Sequence, residues 1–339
     1  GWSARDLDLW AYGPEPAEPL PAHVTLRRPV KNAALRNLGG VALCMRRDRL
    51  ALWHASWSAP RGVHPVVLTV HDALHLTHPR LLEQRVRWRL KALLPRDLRR
   101  VDRVIVPSEV TRHALLNLVS GLPPARVVRI PLGIDPAHFH PGREPLGLDP
   151  GDPAILTRFG LEPQSFCLAV GRPDPRKNLA RLFGAFAEGA AGRRLQLVVA
   201  GPLREEIREL QHLAQTQGLT ELRLLPNVSV HELGALYRGA RLHCYLTLGE
   251  GFGLPALEAL ACGTPCLLSN LPVFREFAGD AASYVDPYDR AAIARAIATA
   301  LANRGLVAEA RELGPEQVQG RTIQAMAEAT ADVYRSVLG

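Results

Sequence analysis

The sequence predicts an α/β protein of two Rossmann-like domains, each a parallel sheet with helices on both faces, and three observations carry that expectation. Short continuous apolar runs alternate with helical patterns along most of the chain. A length of 339 residues suits about two domains. A Pro/Gly/Asp-rich segment, HPGREPLGLDPGDP at 140–153, interrupts the alternation near the middle as a linker would. The expected division is therefore 1–150, 151–318, and a terminal helix at 319–339 that packs back toward the first domain.

LDLWAYG (7–13), LALWHA (50–55), HPVVLTVHD (64–72) and VDRVIVPSE (101–109) read as strands, because apolar runs bounded by turn or polar residues suit strands buried on both faces. The stretch 80–98 is amphipathic and helical, Ser108 is the expected N-cap of the helix EVTRHALLNLV, and VVRIPLGI (127–134) closes the first half. In the second half FCLAVG (166–171), LQLVVAG (195–201), LRLLPN (222–227), LHCYLTLG (242–249) and TPCLLSN (264–270) predict a five-stranded parallel sheet. The segment 321–338 carries apolar residues at helical spacing. Such a pair of domains is expected to bind its ligand in a cleft at the carboxyl ends of the strands.

Composition narrows the classes. With 47% hydrophobic and 22% charged residues the chain forms a core, which excludes disordered and collagen-like proteins. No apolar run reaches the roughly 20 residues of a membrane span, and GWSARDLDLW lacks the features of a signal peptide, so a cytoplasmic location is expected. The five cysteines are irregularly spaced and read as reduced thiols. The net charge of +8 is carried almost entirely by arginine, with lysine only at Lys31, Lys91 and Lys177. No aromatic residues interleave with the basic pairs, so nucleic acid is not an expected partner. Compositional drift accounts for most of this arginine bias, and weak peripheral attraction to an anionic membrane surface, at its inner face, or to an acidic substrate is the alternative use of the charge.

Two stretches carry chemistry. Gly249-Glu250-Gly251-Phe252-Gly253-Leu254-Pro255 leaves a strand, passes three glycines and enters a helix, with Pro255 where a first-turn proline is tolerated. The free N-terminus of that helix suits a diphosphate, and Glu250 and Glu258 reach different parts of one ligand. Gly171-Arg172-Pro173-Asp174-Pro175-Arg176-Lys177-Asn178 also follows a strand, so Arg172 and Lys177 are expected to project from a proline-stiffened loop toward the same phosphates. Taken singly, these residues read equally as solvated loop charges; taken together on one sheet edge they form a nucleoside-diphosphate clamp.

The ordered stretches VLTVHD, VIVPSEVTR, PLGIDPAHFHP, VGRPDPRKNLARLFGAF, EGFGLPALEALACGTP and REFAGDAASYVDP resemble the signatures of the retaining glycosyltransferases of group 1, a family 4-like group with the two-domain GT-B arrangement. The resemblance runs from about residue 50 to the end, and Glu250 and Glu258 match the family's E-x7-E motif. It implies a first domain on the acceptor side and a second that binds the nucleotide-sugar donor. It also implies that Arg172 and Lys177 hold the donor pyrophosphate and stabilise the leaving nucleoside diphosphate. Glu258 would accept from the ribose hydroxyls, Glu250 would face the transferred sugar, and Gly251, Phe252, Gly253 and Leu254 would offer backbone N–H groups. His71, in the VHD context, would approach the sugar from the acceptor side.

The implied reaction is transfer of a hexose, mannose among the candidates, from a nucleoside-diphosphate sugar to a hydroxyl of a lipid, polysaccharide or small molecule, with retention by a front-face path. Cell-envelope polysaccharide is the expected context. Neither a metal nor another cofactor is expected, since Arg172, Lys177 and the helix N-terminus supply the positive field. Asp6-Leu7-Asp8 matches the DxD of metal-dependent transferases only formally, there is no P-loop, and glycines 249, 251 and 253 do not fit G-x-G-x-x-G. The family's usual opening strand, Gly-rich loop and helix are not found at the start of the sequence, which leaves a non-catalytic relative that binds a nucleotide sugar as the alternative.

Overall fold

The computed structural model describes residues 9–12, 24–27, 40–81, 84–143 and 147–339. They fall into two compact units, one of Gly1–Pro107, Thr111–Pro131 and Gln324–Gly339, the other of Ser108–Val110 and Leu132–Ile323. The Asp6-Leu7-Asp8 triplet lies outside the described residues.

The first unit holds a parallel pair, β1 (Leu9–Tyr12) and β2 (Val24–Arg27), and a four-stranded parallel sheet. That sheet runs in sequence order, β3 (Trp53–Ser56), β4 (Val66–Thr69), β5 (Arg103–Val106) and β6 (Val127–Arg129). Successive residues of a strand point to opposite faces, so each face needs its own cover. Val66, Leu68, Val104 and Val106 pack with Leu94 and Leu98, one turn apart on the helix Gln84–Arg100, and with Leu115 and Val119. Val67, Ile105 and Ile130 pack with Val333 of the terminal helix Ile323–Leu338. Burying side chains of this size contributes about 1.5–3 kcal/mol each.

The second unit is a six-stranded parallel sheet in the order β12-β11-β10-β7-β8-β9. Its strands are β7 (Phe166–Val170), β8 (Gln196–Ala200), β9 (Leu222–Leu225), β10 (Leu242–Tyr245), β11 (Cys266–Ser269) and β12 (Ser283–Val285). The five apolar runs read from sequence are β7 to β11, and the structure adds β12 at one edge. Ser283-Tyr284-Val285 is too short and too exposed to make an apolar run, and it becomes a strand only by pairing with β11. Phe166, Leu168, Val198 and Ala200 pack on one face, Cys167, Ala169, Leu197 and Val199 on the other. All five cysteines are free and buried, as small core residues.

In chain order along this sheet the crossovers first step one way (β7, β8, β9) and then return to the other side of β7 (β10, β11, β12). β7 and β10 are parallel neighbours, so the chain diverges in opposite directions beyond their carboxyl ends and leaves a crevice there.

Candidate active site

The loops after β7 and β10 border that crevice. Gly171 ends β7 with φ of 125°, and a Cβ there would stand 3.2 Å from Lys177 Cε, so glycine is what lets the lysine fold back over the strand end. Gly253 precedes the helix Leu254–Ala261 with φ of 106°, and a Cβ would meet Phe274 Cε1 at 2.4 Å. A side chain at either place clashes or strains the turn.

The loop after β7 is held from within and from its neighbour. Asp174 accepts from Arg176 N at 2.7 Å, closing a short 3₁₀ turn over Pro175–Lys177. Asn178, buried and left-handed, donates to Leu246 O at 3.1 Å and Pro287 O at 2.8 Å. The carbonyl of Arg176 accepts from Leu248 N at 2.8 Å and from Thr247 Oγ1 at 3.0 Å. These bonds join two loops some seventy residues apart in sequence into one piece of backbone, and they bring Lys177 and Arg176 to Glu250.

Glu250 is caged. Its Oε1 accepts from Lys177 Nζ at 3.0 Å and from the Tyr245 hydroxyl at 2.7 Å, while Arg176 Nη1 lies 2.9 Å from Oε2. Lys177 also donates to the Tyr245 hydroxyl at 2.5 Å and sits 4.5 Å from the centre of that ring. The Glu250 side chain is 10% exposed and Lys177 14%. Burial lowers the Lys177 pKa, and the Glu250 carboxylate partly restores it. Two of the three ammonium donors are used by these partners, which leaves one for a ligand.

Glu258 lies one turn into the helix Leu254–Ala261 and accepts from the Tyr237 hydroxyl at 2.9 Å. Burial raises its pKa to about 7, against the opposing effect of that hydrogen bond. His243 stands between the two tyrosines, stacked on Tyr245 at 5.8 Å and edge-on to Tyr237 at 5.3 Å. It donates from Nδ1 to Leu168 O at 3.1 Å, and burial lowers its pKa to about 3, so it is a neutral core residue.

The glycine loop runs directly into the helix N-terminus. Phe252 turns inward onto Phe277, ring centres 5.2 Å apart, so its own side chain packs in the core while the backbone of 251–254 forms the loop surface. The Ser108 hydroxyl donates to Gly251 O at 2.7 Å, and the Glu276 carboxylate accepts from Glu109 N and Val110 N at 3.0 and 2.8 Å. Arg172 does not join Lys177. It is 63% exposed and pairs with Glu206 at 2.9 Å, and Glu206 is held by Leu203 N at 2.6 Å. The two cations expected to point at one phosphate group each engage a different carboxylate, because the 3₁₀ turn over Pro175–Lys177 carries Lys177 inward and leaves Arg172 at the rim.

His71 belongs to the first unit, at the carboxyl end of β4. Its Nε2 lies 3.0 Å from Ser56 Oγ at the end of β3, and its ring 5.7 Å from Trp57. Burial lowers its pKa, and Asp72 partly offsets this. Beneath it His54 bridges Thr69 Oγ1 at 2.7 Å and the Tyr334 hydroxyl of the terminal helix at 2.5 Å. Glu250, Lys177, Glu258 and the 251–254 loop therefore share one crevice, with Arg172 at its edge, and His71 sits in the other unit. Sequence reasoning missed Arg176, Tyr245 and Tyr237. Arg176 stands beside Lys177 in the PRK run, and neither tyrosine has a spacing that marks it. Among the described residues no group of three or more His, Cys, Asp or Glu is placed to hold a metal ion, and no single helix is long and apolar enough to cross a membrane.

Comparison with known proteins gives matches along both halves. Residues 158–317 match the family model "Glycosyl transferases group 1", and residues 10–138 match "Glycosyltransferase Family 4". O-antigen chain mannosyltransferase B of Escherichia coli is 31% identical over 283 residues, which is 78% of this chain and 71% of that protein. A D-inositol 3-phosphate glycosyltransferase of Actinosynnema mirum is 34% identical over 256 residues, 69% of this chain and 59% of that protein, so the chain spans under two thirds of that relative's length. In fold, the sucrose-phosphate synthase of Thermosynechococcus elongatus superposes with a TM-score of 0.81 at 22% identity, covering 98% of this chain and 90% of that one. The likeness is to the α/β fold of GT-B glycosyltransferases.

Proposed function

The chain belongs to the group 1 glycosyl transferases, and from that premise we propose that it transfers a hexose, mannose by preference, from a nucleoside-diphosphate sugar to a hydroxyl acceptor with retention at the anomeric carbon. The observation that carries this reading is the meeting of Lys177, Glu250 and Glu258 with a helix N-terminus in the crevice beyond β7 and β10. Lys177 turns its remaining N–H donor to the diphosphate, and the start of the helix Leu254–Ala261 adds backbone N–H groups and the positive end of its dipole. Ionised Glu258 accepts from the ribose hydroxyls. Glu250 has acceptor capacity left on Oε2 and receives a sugar hydroxyl there.

In the transfer step the bond between the anomeric carbon and the phosphate oxygen breaks, and its electron pair stays on the diphosphate. The acceptor oxygen bonds to the same carbon on the same face, and its proton passes to the departing phosphate oxygen. Stabilising the charge that develops on the leaving group is the largest task, and Lys177, Arg172 and the helix N-terminus meet it. We read the reaction as needing no metal, and expect chelators to leave it unchanged. His71 is neutral near pH 7 and serves the acceptor side as a hydrogen-bonding group.

The mannosyl preference and a cell-envelope polysaccharide acceptor are supported by the likeness to the O-antigen mannosyltransferase. Contact with an anionic membrane surface is supported by the helix Gln84–Arg100, whose sequence QRVRWRLKALLPRDLRR is strongly basic and which exposes Trp88. Calorimetry with UDP, GDP, ADP and dTDP, followed by transfer assays with the sugar nucleotide of the base that binds, tests the function. Binding of one nucleotide that falls by about 30- to 100-fold in Lys177→Ala supports it, since a charge-assisted hydrogen bond is at stake. Failure of all four to bind overturns it.

A further inference from the structure

We propose that Arg176 is a positioning residue, holding Glu250 in place while Lys177 is engaged by the donor diphosphate. The inference rests on the donor-site reading of Lys177 and Glu250 and extends it to the side chain next to Lys177 in the same loop.

Glu250 has two cationic neighbours that meet different oxygens. Lys177 shares Oε1 with the Tyr245 hydroxyl, and Arg176 faces Oε2. The lysine is flexible and has a donor to spare, so it is the cation that turns toward an incoming diphosphate. Arg176 is not free to do the same. Its Nη1 also reaches Gly249 O at 3.4 Å, and its Nε lies 3.9 Å from Asp174 Oδ1. Its carbonyl accepts from Leu248 N and Thr247 Oγ1, so backbone and side chain both bind the segment that presents Glu250. A carboxylate 10% exposed that gave up Lys177 without a second cation would swing out toward water or toward the backbone of its own loop. Arg176 keeps it oriented and able to accept a sugar hydroxyl. Its planar fork fixes direction as well as charge, which a lysine reproduces only in part.

The test separates binding of the nucleotide from turnover. Arg176→Ala is expected to lower kcat for sugar transfer by at least about tenfold while the calorimetric Kd for the nucleoside diphosphate, held by Lys177 and the helix N-terminus, changes less than about threefold. Arg176→Lys is expected to recover part of the lost kcat. In a Glu250→Gln background Arg176→Ala is expected to have no further effect on kcat, because its action passes through the carboxylate. Circular dichroism melts of each variant show whether it is folded, and Arg176→Lys decides the question if Arg176→Ala is not. A Kd that collapses in Arg176→Ala as far as in Lys177→Ala makes Arg176 a diphosphate ligand and overturns the proposal. An additive loss in the double variant, or an unchanged kcat in Arg176→Ala, also overturns it. Wild-type protein that binds no nucleoside diphosphate overturns the donor-site reading itself and this inference with it, a result distinct from active wild type with indifferent Arg176→Ala.

Discussion

Tyr237 donates its hydroxyl to Glu258 at 2.9 Å, from the helix Val230–Gly239 onto the helix that starts at the glycine loop. The bond favours the carboxylate, yet burial outweighs it and leaves the pKa raised to about 7. A carboxyl whose folded pKa lies above its unfolded value near 4.5 binds more protons in the native state between those pH values. Stability therefore falls as pH rises from about 4.5 to about 7 and is level above. Glu258→Gln should flatten this part of the melting-temperature profile, read by calorimetric melts from pH 4.5 to 8. Nucleoside-diphosphate affinity has the opposite slope, since the ribose hydroxyls need the ionised form. It should rise up to about tenfold from pH 6 to 8 in wild type, a ratio set by the ionised fraction of a group with pKa near 7, and lose that rise in Glu258→Gln. Equal slopes in the two proteins would remove Glu258 from the ribose site.

Arg172 is occupied by Glu206 at the rim. An exposed pair of this kind is weak, so a diphosphate competes for the guanidinium against a small opposing interaction. Glu206→Gln should tighten nucleotide binding by about two- to threefold, and Arg172→Ala should cancel the gain. If affinity is unchanged in Glu206→Gln, Arg172 does not contribute to the bound state.

Gly253→Ala puts a methyl group 2.4 Å from Phe274 Cε1 at a φ of 106°. Strain and overpacking together should cost roughly 2–4 kcal/mol and lower Tm by about 5–10 °C. Nucleotide binding at temperatures where the variant is folded should also fall, because the loop before the helix N-terminus must shift. A melt within a degree of wild type would show that the backbone relaxes there freely.

His71 is held by Ser56 in the first unit, and the residues of the β7 and β10 crevice belong to the second. His71→Ala should lower sugar transfer by about 100-fold, the low end of the range for a proton-sharing side chain at a reacting centre. Nucleoside-diphosphate Kd should stay within about twofold. Loss of nucleotide binding in parallel with transfer would show that His71 acts on folding.

Most strands of the four- and six-stranded sheets were legible because parallel strands are buried on both faces and so appear as unbroken apolar runs, as FCLAV and QLVVA do. The glycine loop leading into a helix could be read for a related reason. Gly253 and Pro255 have local backbone duties that no other residue meets as well, and such duties are written in adjacent positions. Chemistry that depends on distant partners was not legible in the same way. Ser283-Tyr284-Val285 carries no pattern of its own and is a strand through the edge of β11. Tyr245 reads as one more strand residue, and Arg176 as one more basic loop residue beside Lys177. That both close on Glu250 follows from the parallel pairing of β7 with β10 and from Arg176 O binding the 247–248 backbone. Arg172 and Lys177 were alike in sequence, and the 3₁₀ turn between them sent one to a buried carboxylate and the other to an exposed one. Local backbone geometry and face burial are properties of neighbouring residues, so the sequence alone determined the elements and the glycine loop. The partner of each charge depends on which strand ends meet, and that was decided only by the tertiary structure.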